Sequence, residues 1–399
     1  MFNSVSITDQ IYWVGINDRR TALFENLWPL DHGVAYNSYL IVDEKIALVD
    51  TVDAGQTSEY LGKIKKIIGS DRKIDYLIVN HMEPDHSGTM QAIVELYPDI
   101  KIVGNPKTFD MIQNFYGITE NHYSVKEGDI LDLGQHKLKF YMTPMVHWPE
   151  TMMAYEETNH ILFSGDAFGS FGALDGGIFN DEVDMHFFEE EMRRYYSNIV
   201  GKYGATVQAA LKKLSSLEIR TICSTHGPIW RNDIATIVSL YDQWSKYEAE
   251  EGVVIVYGTM YGNTGKMAET IGRTLSEEGI KNIKIYDASK THASFILRDI
   301  WKYKGLIIGS CAYNTAMFPP VQNLTDKLIH VGLKNRILGI FGTYSWNGGG
   351  VSNLMKFAEQ IKLPVVTEPV EAKCAACGND IDGCMEMAKQ MAKKLREQA

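Results

Sequence analysis

The sequence predicts an α/β protein of two domains: a layered domain in which sheets pack face to face with helices outside, then an open, doubly wound parallel sheet. Three observations predict it. The 399 residues are too many for one ordinary core. Hairpin-like segments come first, and a regular strand–loop–helix cadence governs the last part of the chain. The pattern changes near residue 251, which sets the expected domains at 1–250 and 251–399.

In the first domain, Tyr39 to Val42 and Ile46 to Val52 flank the turn Asp43-Glu44-Lys45 and predict a hairpin. Ser58 to Ile68 has helical periodicity, and Ile74 to Val79 is an apolar run that reads as a buried strand. Thr151 to Tyr155 and Ile161 to Ser164 form a second hairpin around Glu156-Glu157-Thr158-Asn159. Ile222-Cys223 is strand-like, and the polar stretch Tyr241 to Glu251 is expected to be helical. The second domain opens on Val253-Val254-Ile255-Val256-Tyr257, a strand apolar on both faces. Three strand–helix pairs follow one another: Val253 to Tyr257 with Gly265 to Glu278, Leu306 to Gly309 with Val321 to Leu328, and Ile337 to Phe341 with Val351 to Ile361. That repetition is the signature of a parallel sheet covered by helices on both sides.

Composition removes several functions. Apolar content of 45% and charged content of 22% are those of a globular protein. The net charge of -11 argues against nucleic acid, which requires a basic surface. No apolar run reaches the roughly 18 residues a membrane span needs. The first residues lack the basic and apolar regions of a signal peptide. Five scattered cysteines make no disulfide framework and fit a reducing cytoplasm.

The strand ending at Val79 is followed almost at once by His81-Met82-Glu83-Pro84-Asp85-His86, four potential metal ligands within six residues. Pro84 is expected to keep this segment a loop, able to turn alternate side chains toward two metal positions. His147, Asp166 and His226 each follow a strand-like segment, where sheets of this kind place functional groups. Any one of them alone reads as a turn or packing residue. Together they resemble the metallo-β-lactamase superfamily, which implies an αββα sandwich with a binuclear site between its sheets. Hydrolases of that superfamily usually carry His-x-His-x-Asp-His and bind zinc. Here Glu83 stands at the second histidine position, and with Asp85 and Asp166 it makes the donor set rich in carboxylate. Hard anionic donors suit iron or manganese more than zinc.

The second domain carries Thr259-Met260-Tyr261-Gly262-Asn263-Thr264 between a strand and a helix. Hydroxyls, backbone N–H groups and a helix N-terminus converge there on an anion site suited to a phosphate. The segment is neither a Walker A loop nor the dinucleotide Gly-x-Gly-x-x-Gly. Ser310-Cys311-Ala312-Tyr313-Asn314-Thr315 and Thr343-Tyr344-Ser345-Trp346-Asn347-Gly348 leave the next two strands and add aromatic faces and small polar groups. The three loops resemble those of flavodoxins, which implies FMN, with Tyr313 and Trp346 as ring contacts.

The whole chain, in its domain order, resembles the flavodiiron proteins. The resemblance implies that His81, Glu83 and His147 hold one iron, that Asp85, His86 and His226 hold the other, and that Asp166 bridges them. It implies reduction of NO to N2O and/or O2 to water, with electrons passed from FMN to a non-haem di-iron site. It also implies a rubredoxin-like donor or a reductase, and a head-to-tail homodimer or a homotetramer. Competing readings are an O2 reductase of the same family fed by a reduced deazaflavin, a metallo-hydrolase with a flavodoxin-like regulatory domain, and an electron carrier with a structural metal site. Glu83 argues against the hydrolase.

Lesser signals complete the reading. Cys374-Ala375-Ala376-Cys377 has no second Cys-x-x-Cys, so no attached rubredoxin module is expected, and a redox-active pair stays open. His32, Trp148 and Tyr195 are candidates to line a gas pocket, with a turn or packing role equally open to His32, just before the first hairpin, and core packing the simpler reading of Trp148 alone. Glu189-Glu190-Glu191 reads as a solvated helix face.

Overall fold

The computed structural model describes residues 3–397. Packing divides them into two units, one of residues up to Tyr196 with Tyr203–Asp242, the other of Ser197–Lys202 with Gln243 onward.

The first unit contains two large sheets. In one, strands β1 (Val5–Ser6), β2 (Ile11–Trp13), β3 (Tyr39–Val42), β4 (Ile46–Val49), β5 (Tyr76–Ile78), β6 (Lys101–Gly104) and β7 (His122–Ser124) lie in chain order. Its first four strands pair antiparallel, and β4 to β7 pair parallel. The other holds β8 (Ile130–Asp132), β9 (Lys137–Met142), β10 (Met152–Glu156), β11 (Ile161–Gly165) and β12 (Thr221–Ser224), also in chain order. Both expected hairpins are present, as β3–β4 and β10–β11. Side chains of the two sheets meet in one apolar core: Ile41, Val49, Ile78 and Val103 from the first, Phe140, Ala154, Phe163 and Cys223 from the second. Burying such branched and aromatic groups contributes roughly 1.5–3 kcal/mol for each.

Two expectations on the first part of the chain fail. Pro84 does not hold its segment as a loop: Pro84–Ser87 is a single helical turn with the proline at its first position. That position has no backbone donor to lose, and its fixed φ suits a helix start. The stretch Tyr241 to Glu251 is not one helix. Helix Ile234–Ser245 stops short, Tyr247 takes a left-handed φ of 59°, and a strand begins at Glu250. Of the acidic run on helix Met185–Tyr195, Glu189 and Glu190 reach solvent, whereas Glu191 is buried and pairs with Arg194 at 2.8 Å.

The second unit is built on β13 (Glu250–Gly258), β14 (Ile283–Asp287), β15 (Tyr303–Tyr313), β16 (Ile337–Tyr344) and β17 (Val370–Lys373), ordered β14-β13-β15-β16-β17 and parallel throughout. Val253 to Val256 are fully buried, as an apolar strand in the sheet centre requires. Helices Asn263–Glu277, Gly350–Ile361 and Asn379–Glu397 pack on this sheet. The order reverses at β13, so the loops after β13, β15 and β16 gather at one carboxyl edge. Among the described residues, no helix is long and apolar enough to cross a membrane.

Candidate metal centre and cofactor cleft

Each of the sheet-borne donors of the first unit is delivered by the end of a strand. β5 leads into Asn80, whose backbone N–H and side-chain amide both donate to the buried Asp50 carboxylate, at 2.7 and 3.1 Å. That anchor launches His81 and Glu83, and the turn Pro84–Ser87 carries Asp85 and His86. β11 shifts register at Gly165, which has a φ of 58°, and Asp166 follows. His226 follows β12, and His147 lies in the segment after β9.

These residues converge. His147 Nε2 lies 3.2 Å from Glu83 Oε2 and 3.0 Å from Asp166 Oδ2, and His81 Nε2 lies 3.3 Å from Glu83 Oε2. On the other side, His86 Nε2 lies 2.8 Å from Asp166 Oδ1 and 3.3 Å from Asp85 Oδ1, and His226 Nε2 is 3.2 Å from Asp85 Oδ2. Asp166 thus turns Oδ2 toward His81 and His147, and Oδ1 toward His86 and His226. Two groups satisfy metal-binding spacing, His81-Glu83-His86-Asp166 and Asp85-His86-His226.

The donor set fits cations rather than a self-contained hydrogen-bond network. Both Asp85 oxygens, both His86 ring nitrogens and His226 Nε2 are buried without a hydrogen-bond partner, although other donors crowd them within 4 Å. Buried polar atoms left so are costly unless they share a metal. The electrostatics agree. Burial alone would depress His86, yet Asp166 and Asp85 raise it to about 9. His147 is likewise pushed down by burial and up to about 9 by Asp166 and Glu83. Asp166, which burial would raise, is held well below the usual carboxylate range by His86 and His81. A site this strongly polarised binds protons or metal ions at the same nitrogen atoms.

Further groups hold these side chains in place. His81 Nδ1 and the Met82 N–H both donate to Glu150 Oε1, at 2.7 and 2.9 Å, which fixes the ring with Nε2 facing Glu83 and Asp166. His226 Nδ1 donates to the Ala35 carbonyl at 2.8 Å, and Thr225 Oγ1 donates to Asp166 Oδ1 at 2.6 Å. Sequence reasoning missed all three. Nothing in Pro149-Glu150-Thr151 marks that glutamate, and only its burial does.

The walls are aromatic. Tyr195 and Phe24 set their rings 5.5 and 5.4 Å from His226, and Trp148 meets His81 edge-on at 5.1 Å. The Tyr195 hydroxyl is buried without a partner, and burial, then Asp166, hold it well above the ordinary phenol range. His32 is not with this group: it packs on Phe187 at 4.9 Å and lines a separate cavity of about 520 Å³ with Arg19 and Asp31. The hairpin Leu23–Phe24 with Trp28–Pro29 brings a residue that the sequence did not announce. Glu25 accepts from Trp28 Nε1 at 2.8 Å, and partial burial with its neighbour Glu83 raises its carboxyl to about 7.

In the second unit, Met260, Tyr261, Ala312, Tyr313, Asn314, Thr315, Ser345, Trp346 and Asn347 line one cavity of about 570 Å³. All three expected loops contribute, and Tyr261 and Trp346 are 90% and 85% exposed at its rim. Other expected residues lie beneath or behind it. Thr264 and Thr343 are buried and joined hydroxyl to hydroxyl at 2.8 Å, and Ser310 and Cys311 are buried. Thr259 Oγ1 accepts from the Gly262 N–H at 2.9 Å, and both residues line a neighbouring cavity with Lys266. Gly262 has a φ of 91° at the start of helix Asn263–Glu277, and Asn263 begins that helix. Tyr344 ends β16, and Gly348 lies beside Glu371. Asn314 and Thr315 form the tip of a tight hairpin at φ of 47° and 60°, a strained conformation for a β-branched residue and one that clusters at ligand sites.

Comparison with known proteins bears on both units. Residues 34–227 match the family model described as ODP family beta lactamase, and residues 255–372 match that of flavodoxin. The chain is 33% identical over 402 residues to the nitric oxide reductase of Moorella thermoacetica, with 100% of each chain covered. It is 29% identical to the rubredoxin oxygen:oxidoreductase of the anaerobe Desulfovibrio gigas, with a TM-score of 0.95 and 99% of each chain covered. It is 25% identical to the flavodiiron protein of Giardia intestinalis, with a TM-score of 0.95, covering 100% of this chain and 98% of that one. Likeness that runs end to end through both units, in sequence and in fold, settles the assignment: the chain belongs to the flavodiiron protein family.

Proposed function

We propose that this chain is an oxidoreductase that reduces NO to N2O and/or O2 to water, at a pair of non-haem irons supplied with electrons by FMN. Membership of the family carries both cofactors, and relatives named nitric oxide reductase and rubredoxin oxygen:oxidoreductase support the two substrates. The observation that carries the reading is the two-sided Asp166 carboxylate, 3.0 Å from His147 through Oδ2 and 2.8 Å from His86 through Oδ1. His81, Glu83 and His147 would hold one iron, and Asp85, His86 and His226 the other, with Asp166 between them. The loops 259–264, 310–315 and 343–348 would hold FMN, with Tyr313 and Trp346 against its ring. When bound, the irons coordinate a diatomic gas and, with the flavin, store the electrons that its reduction needs.

The protein's own groups do the rest. Two NO consume two electrons and two protons, and one O2 consumes four of each. Protons must therefore be held near the site, and the Tyr195 hydroxyl, buried beside His226 without a hydrogen-bond partner, is placed to supply one. Phe24, Trp148 and Tyr195 exclude bulk water, which strengthens every charge interaction inside. Glu150 fixes the orientation of His81. The exposed Tyr261 and Trp346 support coverage by a second copy, so a head-to-tail homodimer, alone or paired into a tetramer, is the assembly inferred. A rubredoxin-like protein or a reductase is the inferred donor, and the cytoplasm the inferred compartment.

Steady-state turnover with each gas supplied separately, with chemically reduced rubredoxin as donor, tests this. The expected result is N2O from NO or uptake of O2, lost in Asp166→Asn, which should also retain fewer than two irons per chain. Protein loaded with two irons and FMN that consumes neither gas would overturn the reading.

A further inference from the structure

Of the five cysteines, Cys223, Cys311 and Cys384 are buried, and only Cys374 and Cys377 are exposed. They flank two alanines in a tight reversal. Cys374 follows the last residue of β17 with a left-handed φ of 64°, and Gly378, with a φ of 46°, leads into helix Asn379–Glu397. The Cys377 N–H donates to Asp380 Oδ2 at 3.2 Å, which ties the second cysteine to the helix start. A chain reversal is what a Cys-x-x-Cys needs to bring its sulfurs together, because an extended segment holds them apart. Among the described residues, neither cysteine belongs to a metal-binding group, so a zinc site does not account for the pair.

The pair is joined to the cleft of the same unit. Lys373 stands opposite Tyr344 in the β16–β17 ladder, and the Cys374 N–H donates to the Tyr344 carbonyl at 2.7 Å. Ser345, Trp346 and Asn347 come next in the chain and line the 570 Å³ cavity. One residue further, a Cβ on Gly348 would lie 3.5 Å from the Glu371 carboxylate of β17. The loop that walls the cavity is therefore hung on the backbone that the two cysteines would lock.

We propose that Cys374 and Cys377 are a redox-active pair, which opens and closes by exchange with small-molecule disulfides of the glutathione class and so adjusts the 345–347 wall of the cofactor cavity. One cysteine thiolate attacks a sulfur of the small disulfide, forms a mixed disulfide and expels one thiol. The second cysteine then attacks the protein sulfur of that mixed disulfide and expels the other thiol. Two protein thiols and one small disulfide become one protein disulfide and two small thiols, with two electrons passing to the small molecule. Excess thiol reverses each step. The disulfide is independent of the proposed function, whereas its effect on the cavity rests on FMN binding there.

The test uses the full-length holoprotein, equilibrated anaerobically in buffers of varied glutathione and glutathione disulfide, then alkylated and mapped by mass spectrometry. The expected result is joint loss of both alkylatable thiols in a single two-electron transition. C374S and C377S should each give a mixed disulfide with glutathione at the remaining cysteine. FMN should bind the two forms with dissociation constants differing by about fivefold or more, and by linkage FMN should move the thiol–disulfide equilibrium by the same factor. Independent loss of the two thiols, or stable mixed disulfides in the unaltered protein, would overturn the pair. Equal FMN affinity in both forms would overturn the adjustment of the cavity. Failure of FMN to bind either form would count against the flavin reading, with the disulfide map still deciding the pair.

Discussion

Glu150 touches no proposed substrate position, yet it governs His81 through one charged hydrogen bond of 2.7 Å. Carboxylates in this role typically change metal affinity by about 10–100-fold when altered. Glu150→Gln keeps the shape and removes the charge. It should lower iron affinity by roughly that factor, as read by competition with a chelator, and unchanged retention would remove Glu150 from this role. A second buried pair lies away from the metal-ligand candidates. His136 Nδ1 faces Glu156 Oε1 at 3.0 Å, and its Nε2 faces Gln10 Oε1 at 3.1 Å, so both ring nitrogens meet acceptors. The bond to Glu156 raises His136, against the smaller pull of burial. Burial would raise Glu156, but the bond to His136 and the N–H groups of Asn159 and Thr158 lower it. The sign follows. The His136 contribution is present below the ordinary imidazole value and is lost as pH climbs through the raised one. The Glu156 contribution is present above the ordinary carboxylate value and is lost as pH falls through the lowered one. Both are full near pH 5–6. His136→Gln should therefore cost about 1–3 kcal/mol at pH 6 in a denaturant titration and less at pH 9. An equal cost at both would mean a neutral hydrogen bond. At this scale the sequence was most legible where donors follow strand ends, as His81 and Asp166 do. It was silent on Glu150 and Glu25, whose surroundings come from distant parts of the chain.

At the scale of the element, helix Pro106–Tyr116 links local capping to the metal region. Asn105 Oδ1 accepts from the N–H groups of Lys107 and Thr108, and its Nδ2 donates to the Glu150 carbonyl at 2.6 Å. The two halves of one amide can be separated. Asn105→Ala loses both and should cost about 1 kcal/mol or more by thermal unfolding, the usual worth of an N-cap. Asn105→Asp keeps the cap and loses the donor. It should keep most of the stability while iron affinity falls, because the backbone that carries Glu150 is released. Equal iron affinity in Asn105→Asp and the unaltered protein would separate the helix from the site. In the second unit, a Cβ on Gly349, at a φ of 134°, would lie 2.3 Å from the Thr315 carbonyl. Gly349→Ala should therefore separate two loops of the cofactor cavity and weaken FMN binding, as followed by recovery of free-flavin fluorescence. Elements with clear periodicity were read to within a few residues: Ser58 to Ile68 is Thr57–Ile68, and Val351 to Ile361 is Gly350–Ile361. The misreadings have local causes. Pro84 begins a helix as readily as it prevents one, and the left-handed Tyr247 that divides Tyr241 to Glu251 carries no glycine to announce it.

At the scale of the whole molecule, the sequence pattern and the packing mark different places. Pattern changes at Gly252, where the first strand of the parallel sheet turns apolar. Packing gathers Gln243 onward, and also the short segment Ser197–Lys202, into the second unit. The reason is Trp301, fully buried there. Its indole N–H donates to the Trp244 carbonyl at 3.2 Å, its ring lies 5.2 Å from that of Tyr247, and a Cβ on Gly201 would meet it at 2.8 Å. The Tyr247 carbonyl also accepts at 2.9 Å from Arg336, a buried cation surrounded by carbonyl groups. Such a seam joins residues from 54 to 100 positions apart in the chain, and no local pattern encodes it. A fragment of residues 251–399 should then expose Trp301 and strip Arg336 of one acceptor, whereas a fragment of residues 243–399 keeps both Trp244 and Tyr247. Re-exposing a large aromatic costs about 2–3 kcal/mol. For a chain of that size each kilocalorie is worth about 2–4 °C, so the shorter fragment should melt about 5–10 °C lower. Both should bind FMN, since the cavity residues Met260 to Asn347 are present in each. Equal melting temperatures would mean that the seam contributes nothing, and that the change of pattern at Gly252 is the energetic boundary as well.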